Sequence, residues 1–330
     1  MGQEHYLYKN RLEMGEYIHY FETNSEFEEA YNGEAYAEPW VSYTEQSEKV
    51  NYNKNFKTVP FTIEALESGA ISWSLNDKTV QYSKNGGEWT TMDSGTSISV
   101  SSGDRVSFKG DNDRYAYNGP GYYVCTISST ARFKVSGNIM SLIDSQGFET
   151  ASTLIDWAFY SLFRNSTTIV SAEDLLLPAT TVGIGTYEYM FGSCTNLVSG
   201  PKKIYLESMG DQCCEYMFTG CTSLVNAPEL PSTNLYDNCY LGMFKSCTGL
   251  VKAPELPAET LFPGCYNMMF EGCSSLNYVK ALATVTASGG TSYWLYGVSQ
   301  TGTFVKASGV TWPSGDSGIP SGWTIQTASE

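Results

Sequence analysis

The feature that most constrains the fold of this chain is a nearly identical segment that occurs twice. Residues 221–231 read CTSLVNAPELP and residues 247–257 read CTGLVKAPELP, so nine of eleven positions agree at a distance of 26 residues. A repeat period of roughly 20–50 residues is typical of solenoids, in which each copy forms one turn of a stacked coil. The segment therefore predicts a solenoid over part of the chain.

A Met-Phe pair marks the register of the repeat. A cysteine follows each methionine by four residues and a leucine follows it by seven, which indicates constant, buried positions. A degenerate earlier copy carries Leu162-Phe163, and a late one carries Leu295-Tyr296. The four full copies carry Met190-Phe191, Met217-Phe218, Met243-Phe244 and Met269-Phe270.

The physics of one coil indicates how the copies associate. The segment LVNAPEL is short and partly apolar, so we expect it to pair in parallel with its equivalent in the next coil. The segment CYLGMFKSC places apolar residues on one side of a helical turn or tight arc. Because one coil cannot bury its apolar face alone, we expect five or six stacked coils with a common core.

The rest of the chain differs in composition from the repeats. Residues 1–57 are rich in glutamate and aromatic residues and predict an extended attachment segment, with a short helix at residues 26–31. We assign residues 58–137 to a small β-sandwich, 138–290 to the solenoid and 291–330 to a C-terminal cap. The predicted fold class is mainly β with short helices.

The β-sandwich is predicted from alternation of apolar and polar residues in residues 58–137. Short alternating runs separated by turn-forming residues are typical of strands, and about six or seven of them fit a small sandwich. Asn85-Gly86 separates two of these runs. Since both residues tolerate positive φ, the pair predicts a tight hairpin.

Eight of the nine cysteines lie in residues 194–273, mostly at two repeated positions. Equivalent positions stack along a solenoid, so we predict columns of small, buried and free thiols. A zinc site or disulfides are the alternatives. Zinc sites use close ligand pairs and usually a histidine, and the only histidines, His5 and His19, lie near the N-terminus.

Three other patterns were weighed as catalytic or binding features. Gly315-Asp316-Ser317-Gly318 matches the nucleophile motif of trypsin-like proteases, but that chemistry needs a histidine base, and a turn is favoured. The segment GDNDR at residues 110–114 breaks the EF-hand calcium pattern, so a solvated turn is favoured. Tyrosines such as Tyr240 and Tyr266 follow the repeat positions, which favours packing over sugar stacking. We expect neither an enzyme nor a cofactor.

Charge and hydropathy limit the partners. The net charge of −16 opposes binding to nucleic acid. No apolar run is long enough for a transmembrane helix, and the first residues lack the apolar stretch of a secretory signal peptide. We therefore expect that the chain does not insert into a membrane. We also expect that it is made in a reducing cytoplasm.

The repeat resembles a known family. The segment CYLGMFKSCTGLVKAPELPAETL resembles the BspA-type leucine-rich repeats of gut Bacteroides-group bacteria and their bacteriophages. The segments VQYSKNGGEWTTM before the repeats and GVSQTGTFVKASGVTWPSGDSGIPSGWTIQ after them are similar to the usual neighbours of such repeats. The resemblance covers roughly residues 58–330 and implies a surface or virion adhesion and scaffold protein.

Two positions of the repeat vary in size and charge, nine and twelve residues past the methionine. Such variation does not pack in one repeating core, so we expect these side chains to face solvent in two columns. The columns would suit an extended glycan or a protein, and a plain solvated face is the alternative. They comprise Ser199, Asn226, Lys252 and Tyr278, and Lys202, Glu229, Glu255 and Ala281.

These observations predict a non-enzymatic structural and adhesion protein. We expect a bacteriophage virion appendage, a fibre or a capsid or tail decoration, that displays the repeat surface for host attachment. Its expected partners are other virion structural proteins through residues 1–57, a host-surface glycan or protein through the solenoid, and further copies of the chain. The alternative is a BspA-like adhesin on a bacterial cell surface.

Overall fold

A computed structural model describes residues 11–14, 17–20, 57–286 and 289–329. The chain divides into two units, Met1–Lys57 and Thr58–Glu330. In the first unit, strands β1 (Arg11–Met14) and β2 (Tyr17–Tyr20) pair antiparallel. The helix expected at residues 26–31 lies outside the described residues.

The second unit is mainly β, as the sequence predicts. The described residues contain one short 3-10 helix, Ile139–Leu142, and no helix among them is long and apolar enough to cross a membrane. The strands are β3 (Thr62–Ala65), β4 (Gly69–Ser74), β5 (Val80–Lys84), β6 (Thr90–Met92), β7 (Ser97–Val100), β8 (Arg105–Gly110), β9 (Ala116–Tyr117), β10 (Tyr123–Val124), β11 (Thr126–Ser129), β12 (Phe133–Asn138), β13 (Thr153–Leu154), β14 (Ile169–Leu176), β15 (Thr181–Val182), β16 (Ser208–Met209), β17 (Thr260–Leu261), β18 (Tyr278–Ala281), β19 (Val285–Thr286), β20 (Gly302–Lys306) and β21 (Trp323–Thr327).

Two sheets form the N-terminal part of this unit. Six strands pair in the order β14-β12-β3-β8-β5-β6, and three pair in the order β11-β4-β7. Their apolar residues meet between them, where the Trp73 ring of β4 lies 5.2 Å from the Phe108 ring of β8. A hairpin turn at Asn85-Gly86 is confirmed, because both residues have positive φ between the paired strands β5 and β6. The hairpin is wider than predicted, since the pairing ends at Tyr82 and Thr90 and leaves residues 83–89 in the connection.

The six-stranded sheet runs across the boundary expected after residue 137. β12 pairs with β3 on one side and, in parallel, with β14 on the other. The Phe133 amide donates to the Thr168 carbonyl at 2.9 Å, and the Phe61 and Phe163 rings lie 6.0 Å apart. The apolar end of the first repeat is therefore buried against the N-terminal sheets.

Each repeat contains a nine-residue segment of turns, here called an arc, rather than a helix. The first, fifth and ninth residues of every arc have positive φ, and eleven of these eighteen residues are not glycine. Because positive φ costs a non-glycine residue about 1–2 kcal/mol, other interactions must stabilise the arcs. They are arc 1 (157–165), arc 2 (185–193), arc 3 (212–220), arc 4 (238–246), arc 5 (264–272) and arc 6 (289–297).

Hydrogen bonds between successive arcs supply that stabilisation. In arc 2, the amides of Tyr187, Tyr189 and Phe191 donate to carbonyl oxygens of arc 3 at 2.7–3.0 Å. The amides between them donate three residues back within the arc, as Met190 does to Tyr187 at 3.1 Å. Every second amide thus donates to the neighbouring copy, and the amides between them donate within their own turn. Few backbone donors of the arc are left without a partner.

Phenylalanine rings stack through the core of the arcs. Neighbouring rings have centroids 5.2–5.6 Å apart and interplanar angles of 3–7°. Such pairs contribute about 0.5–1.5 kcal/mol beyond their buried area. The prediction of a constant buried core is confirmed. The stacked residues are Phe163, Phe191, Phe218, Phe244 and Phe270, all fully buried.

The prediction of buried, free thiols is also confirmed, since all nine cysteines are buried and free. The thiols of one repeated position donate to the phenylalanine carbonyl of the preceding arc at 2.9–3.1 Å. The pairs are Cys194 with Phe163, Cys221 with Phe191, Cys247 with Phe218 and Cys273 with Phe244.

Prolines interrupt the parallel pairing of the APELP segments. Ser199 and Lys203 form isolated parallel bridges to Asn226 and Glu229, on either side of Pro228. Because proline has no amide hydrogen, the hydrogen bonds cannot continue between those bridges. The later segment YVKA has no proline, and it forms the continuous strand β18 paired with β20.

The last copy is displaced by one residue from the register that the sequence indicates. The Phe270 amide donates to the Trp294 carbonyl, so Trp294-Leu295 occupies the Met-Phe position. The assignment of Leu295-Tyr296 was wrong. Arcs 5 and 6 are only 25 residues apart, and Tyr296 is 51% exposed whereas Trp294 is fully buried.

The C-terminal residues cover the outer side of arc 6. The Trp294 ring stacks on Trp312 at 5.1 Å, and the Trp294 indole nitrogen donates to the Gly318 carbonyl. The Tyr293 amide donates to the Ser317 hydroxyl at 3.1 Å. Tyr293 is the fifth residue of its arc, and in earlier arcs the amide of the fifth residue donates to a carbonyl of the next copy, as Tyr189 does to Glu215. In the last arc, a side-chain oxygen replaces that carbonyl.

Candidate binding face

The first predicted column is exposed only in part. Asn226 and Lys252 are exposed, and Tyr278 is half-buried below Lys252, whose Nζ lies 5.1 Å from the ring centroid. Ser199 is only 6% exposed, so the expectation that it faces solvent was wrong. The physical reason is its neighbour, because the Asn226 side chain donates to the Ser199 hydroxyl at 2.9 Å and lies against it.

The second predicted column does not keep one register. Glu229 bridges to Lys203 rather than Lys202, and Ala281 bridges to Leu256 rather than Glu255. Counting twelve residues from each methionine therefore mixed two positions. The fully buried Ala281 belongs to the core, contrary to expectation. Between its two bridged residues, the first copy (Ser199 and Lys203) has one residue more than the copy it pairs with (Asn226 and Glu229). The last copy (Tyr278 and Ala281) has one residue fewer than its partner (Lys252 and Leu256).

The corrected register gives a column of charged side chains that runs across four copies. Lys203 and Lys280 were not predicted, although the unequal spacing of the Met-Phe pairs is visible in the sequence. The Lys280 ammonium lies 2.9 Å from the Glu255 carboxylate. Lys202 is also exposed, 3.9 Å from carboxylate oxygens of both Glu173 and Asp174. The column contains Lys203, Glu229, Glu255 and Lys280.

A shallow groove of about 410 Å³ lies beside these charges. Four prolines of two consecutive APELP segments shape its walls, and Glu229 and Glu255 are exposed along it. Proline fixes φ, so this surface is rigid before any ligand binds. The lining residues are Ala227, Pro228, Glu229, Leu230, Pro231, Pro254, Glu255 and Pro257.

A third column adds exposed apolar surface that was not predicted. Val198, Val225 and Val251 are 43%, 52% and 47% exposed, and each follows the buried leucine of its copy. The backbones of the first two are linked, since the Val225 amide donates to the Val198 carbonyl at 2.9 Å. We refer to the exposed and half-buried residues of the three columns together as the repeat face: Val198, Val225, Val251, Asn226, Lys252, Tyr278, Lys203, Glu229, Glu255 and Lys280.

The two motifs set aside in the sequence have structural contacts. Ser317 receives the Tyr293 amide, as described, and both histidines of the chain belong to the other unit. In GDNDR, Asp111 accepts hydrogen bonds from the Ser145 amide and hydroxyl at 2.8 and 3.0 Å. The Asp113 carboxylate lies 3.5 Å from the Lys78 ammonium.

The buried thiols are unsuited to nucleophilic chemistry. Burial raises the pKa of Cys194 and of Cys273 to about 12, so both stay protonated at neutral pH. In the described part of the chain, no group of three or more His, Cys, Asp or Glu side chains could hold a metal ion.

Comparison with known proteins gives no relative. No family model, no curated protein and no solved structure matches the chain.

Proposed function

We propose that this chain is a non-enzymatic display protein, a bacteriophage virion appendage that attaches to the host through its repeats. One observation carries the proposal. Positions inside the repeats are constant and fully buried, as Phe218 and Phe244 are, while an exposed position of the same copies changes from Asn226 to Lys252. A constant core with a variable surface suits recognition, because surface residues can change without loss of stability.

The architecture that we propose is a BspA-type leucine-rich-repeat solenoid preceded by a small β-sandwich. Six arcs of one conformation, hydrogen-bonded in sequence and stacked through their phenylalanines, support the solenoid. The contact between Trp73 and Phe108, from two different sheets, supports the sandwich. The sequence resemblance supports the family.

The chemistry of the repeat face fits an extended glycan or protein chain. Asn226 and Lys252 offer hydrogen-bond donors, Glu229 and Glu255 offer acceptors, and the valine column offers apolar contact. Equivalent groups recur along the stacked copies, so a ligand with its own regular repeat could engage several copies at once. The groove between the APELP segments would hold one edge of such a ligand.

Residues 1–57 are proposed to attach the protein to other virion structural proteins. Their separation from residues 58–330 as a distinct unit supports this role. We also propose a homo-oligomer, since an appendage with several copies of a weak binding face gains avidity. The net charge of −16 supports an absence of nucleic acid among the partners.

Substitution of the repeat face tests the proposal. We expect the variant Asn226→Ser, Lys252→Ser, Tyr278→Ser to stay folded and to lose most adsorption to host cells. Its melting temperature should fall by only a few degrees, from the lost Asn226–Ser199 hydrogen bond and the half-buried Tyr278 ring. The matched control replaces three exposed residues of the same region outside the repeat face, Ile184, Asp211 and Asp237, with serine. Equal adsorption of both variants would refute the repeat face as the receptor site.

A deletion tests the attachment segment. A fragment with residues 58–330 should remain folded and should no longer join the virion. Assembly of this fragment at the normal ratio would place the anchor elsewhere.

The alternative is a BspA-like adhesin on a bacterial cell surface. It uses the same repeat face and differs in location. Detection of the chain in purified virions, against its detection in the outer envelope of uninfected bacteria, separates the two.

A further inference from the structure

Two glutamates occupy equivalent positions in the neighbouring arcs 2 and 3. Glu188 and Glu215 are the fourth residues of their arcs, and the Tyr189 amide donates to the Glu215 carbonyl at 3.0 Å, which sets them side by side. The equivalent residues of the other arcs carry no carboxylate. They are Tyr160, Leu241, Asn267 and Ser292.

The pair is poorly solvated and has little compensating charge. Glu215 is only 8% exposed, and its Oε2 atom has no hydrogen-bond partner. The cation that acts on Glu188 is Arg164, whose guanidinium stacks over the Tyr189 ring at 4.1 Å. Among the described residues, Arg164 forms no ion pair with a carboxylate.

The other groups that face the pair do not supply a positive charge. Tyr160, Tyr189 and Tyr216, from arcs 1, 2 and 3, are near enough to feel its charge and carry none of their own at neutral pH, and their rings contact one another in turn. Glu271 also acts on Tyr216, and its carboxylate is already 2.9 Å from the Lys245 ammonium. Two full negative charges in adjacent copies would therefore repel each other with little screening.

We infer that Glu188 and Glu215 form a pH-sensitive contact between arcs 2 and 3, which binds them together while the pair holds a proton and loosens them when both carboxylates are charged. A protonated carboxyl can donate a hydrogen bond to its partner, whereas two carboxylates have only acceptors.

The direction of the pH dependence follows from the site. Burial, together with the charge of Glu215, raises the pKa of Glu188 from its ordinary value of 4.5 to about 8, and burial also raises the pKa of Glu215. A raised pKa of an acid in the folded state adds stability that is complete below 4.5 and is lost as the pH rises through about 8. The folded protein should therefore lose stability from weakly acidic to alkaline pH.

The test is thermal unfolding of the full chain between pH 5 and pH 9, for the wild type and for Glu188→Gln and Glu215→Gln. Glutamine mimics the protonated carboxyl. At pH 5, we expect melting temperatures close to that of the wild type. At pH 9, each variant should melt at least ~2 °C above the wild type. The control, Glu207→Gln, removes an exposed carboxylate and should show no such rise.

Two results would overturn the inference. One is a difference between Glu188→Gln and the wild type that stays constant from pH 5 to pH 9. The other comes from infrared spectroscopy of the wild type, which needs no variant to fold. The carbonyl band of a protonated carboxyl should be present at pH 6.5 and disappear above pH 8, and its absence at pH 6.5 excludes the shared proton.

Discussion

The thiol of Cys247 donates a hydrogen bond to the carbonyl oxygen of Phe218 at 3.1 Å, although 29 residues separate them. The Cys247 amide meanwhile donates to the carbonyl of Phe244, the phenylalanine of its own copy. One cysteine thus links two consecutive copies through main-chain oxygens. A small side chain that packs as an apolar residue and still offers a weak donor fits this buried position.

Replacing this cysteine should weaken the repeats. Cys247→Ala removes the donor and leaves a small void, so the free energy of unfolding should fall by about 1–2 kcal/mol. Urea denaturation measures the change. The control, Thr248→Ala, alters the exposed neighbour and should cost less than ~0.5 kcal/mol. Equal losses in the two variants would show that the thiol contact contributes nothing.

The burial of the cysteines predicts how they react. In the native protein, none of the nine should react readily with a thiol reagent, because all are buried and burial raises the pKa of thiols such as Cys125 to about 12. After denaturation without reductant, all nine should react. A count of five or fewer would mean that disulfides form.

The stacked phenylalanines should dominate the stability of the repeats. Phe218 contacts the rings of Phe191 and Phe244 at 5.3 and 5.5 Å, and Phe218→Ala should cost about 3–5 kcal/mol. Val225→Ala, in the same copy but at a 52% exposed position, should cost under ~0.5 kcal/mol. Chemical denaturation of both variants tests the register. A large loss for Val225→Ala would contradict it.

Glycine 242 should tolerate no side chain. It has φ +57, and an added Cβ would lie 2.2 Å from Cε1 of Tyr216 in the preceding arc. Gly95 has φ +81 and open space around it, so Gly95→Ala isolates the backbone cost, about 1 kcal/mol. We expect Gly242→Ala to lose at least ~2 kcal/mol more than Gly95→Ala in urea denaturation. Similar losses would mean that the Tyr216 ring moves aside freely.

Ser317 should affect stability rather than catalysis. The sequence places it in a turn, and in the structure its hydroxyl accepts the Tyr293 amide of the last arc. Ser317→Ala should therefore lower the free energy of unfolding by about 0.5–1.5 kcal/mol. Ser314→Ala is a control in the same segment. A fluorophosphonate probe should not label Ser317, and labelling would revive the protease interpretation.

The sequence was sufficient for the core of the repeats and insufficient for their backbone. A Met-Phe pair at regular intervals predicts buried residues, because only a constant environment selects the same apolar side chains each time. The positive φ values were not predictable, since they fall on Trp157, Gln212 and Met268 as well as on glycines. Hydrogen bonds from neighbouring copies impose that conformation, and local propensity does not reveal it.

The candidate sites show the same division. Exposure of Asn226 and Lys252 follows from their variation, whereas the position of Ala281 depends on a one-residue difference in spacing that only pairing between copies defines. The glutamate pair had a signal in the sequence, since EYMF occurs at both 188–191 and 215–218. A repeated residue usually indicates an apolar core position, so an acid repeated at a half-buried position, Glu188, and a buried one, Glu215, was not recognised.

The alternation of amides in the arcs also limits how such a chain can change its length. Insertion of a single residue within an arc would shift this alternation by one position. Beyond the insertion, amides that donate to the next copy would then point into their own turn, and those that close the turn would point at the next copy, so neither set would meet its acceptor. Gain or loss of a whole copy leaves that alternation intact, and the copies already differ in spacing from 25 to 28 residues. Natural length variants should therefore arise by duplication or deletion of entire copies, with each step extending or shortening the stack by about 4.8 Å.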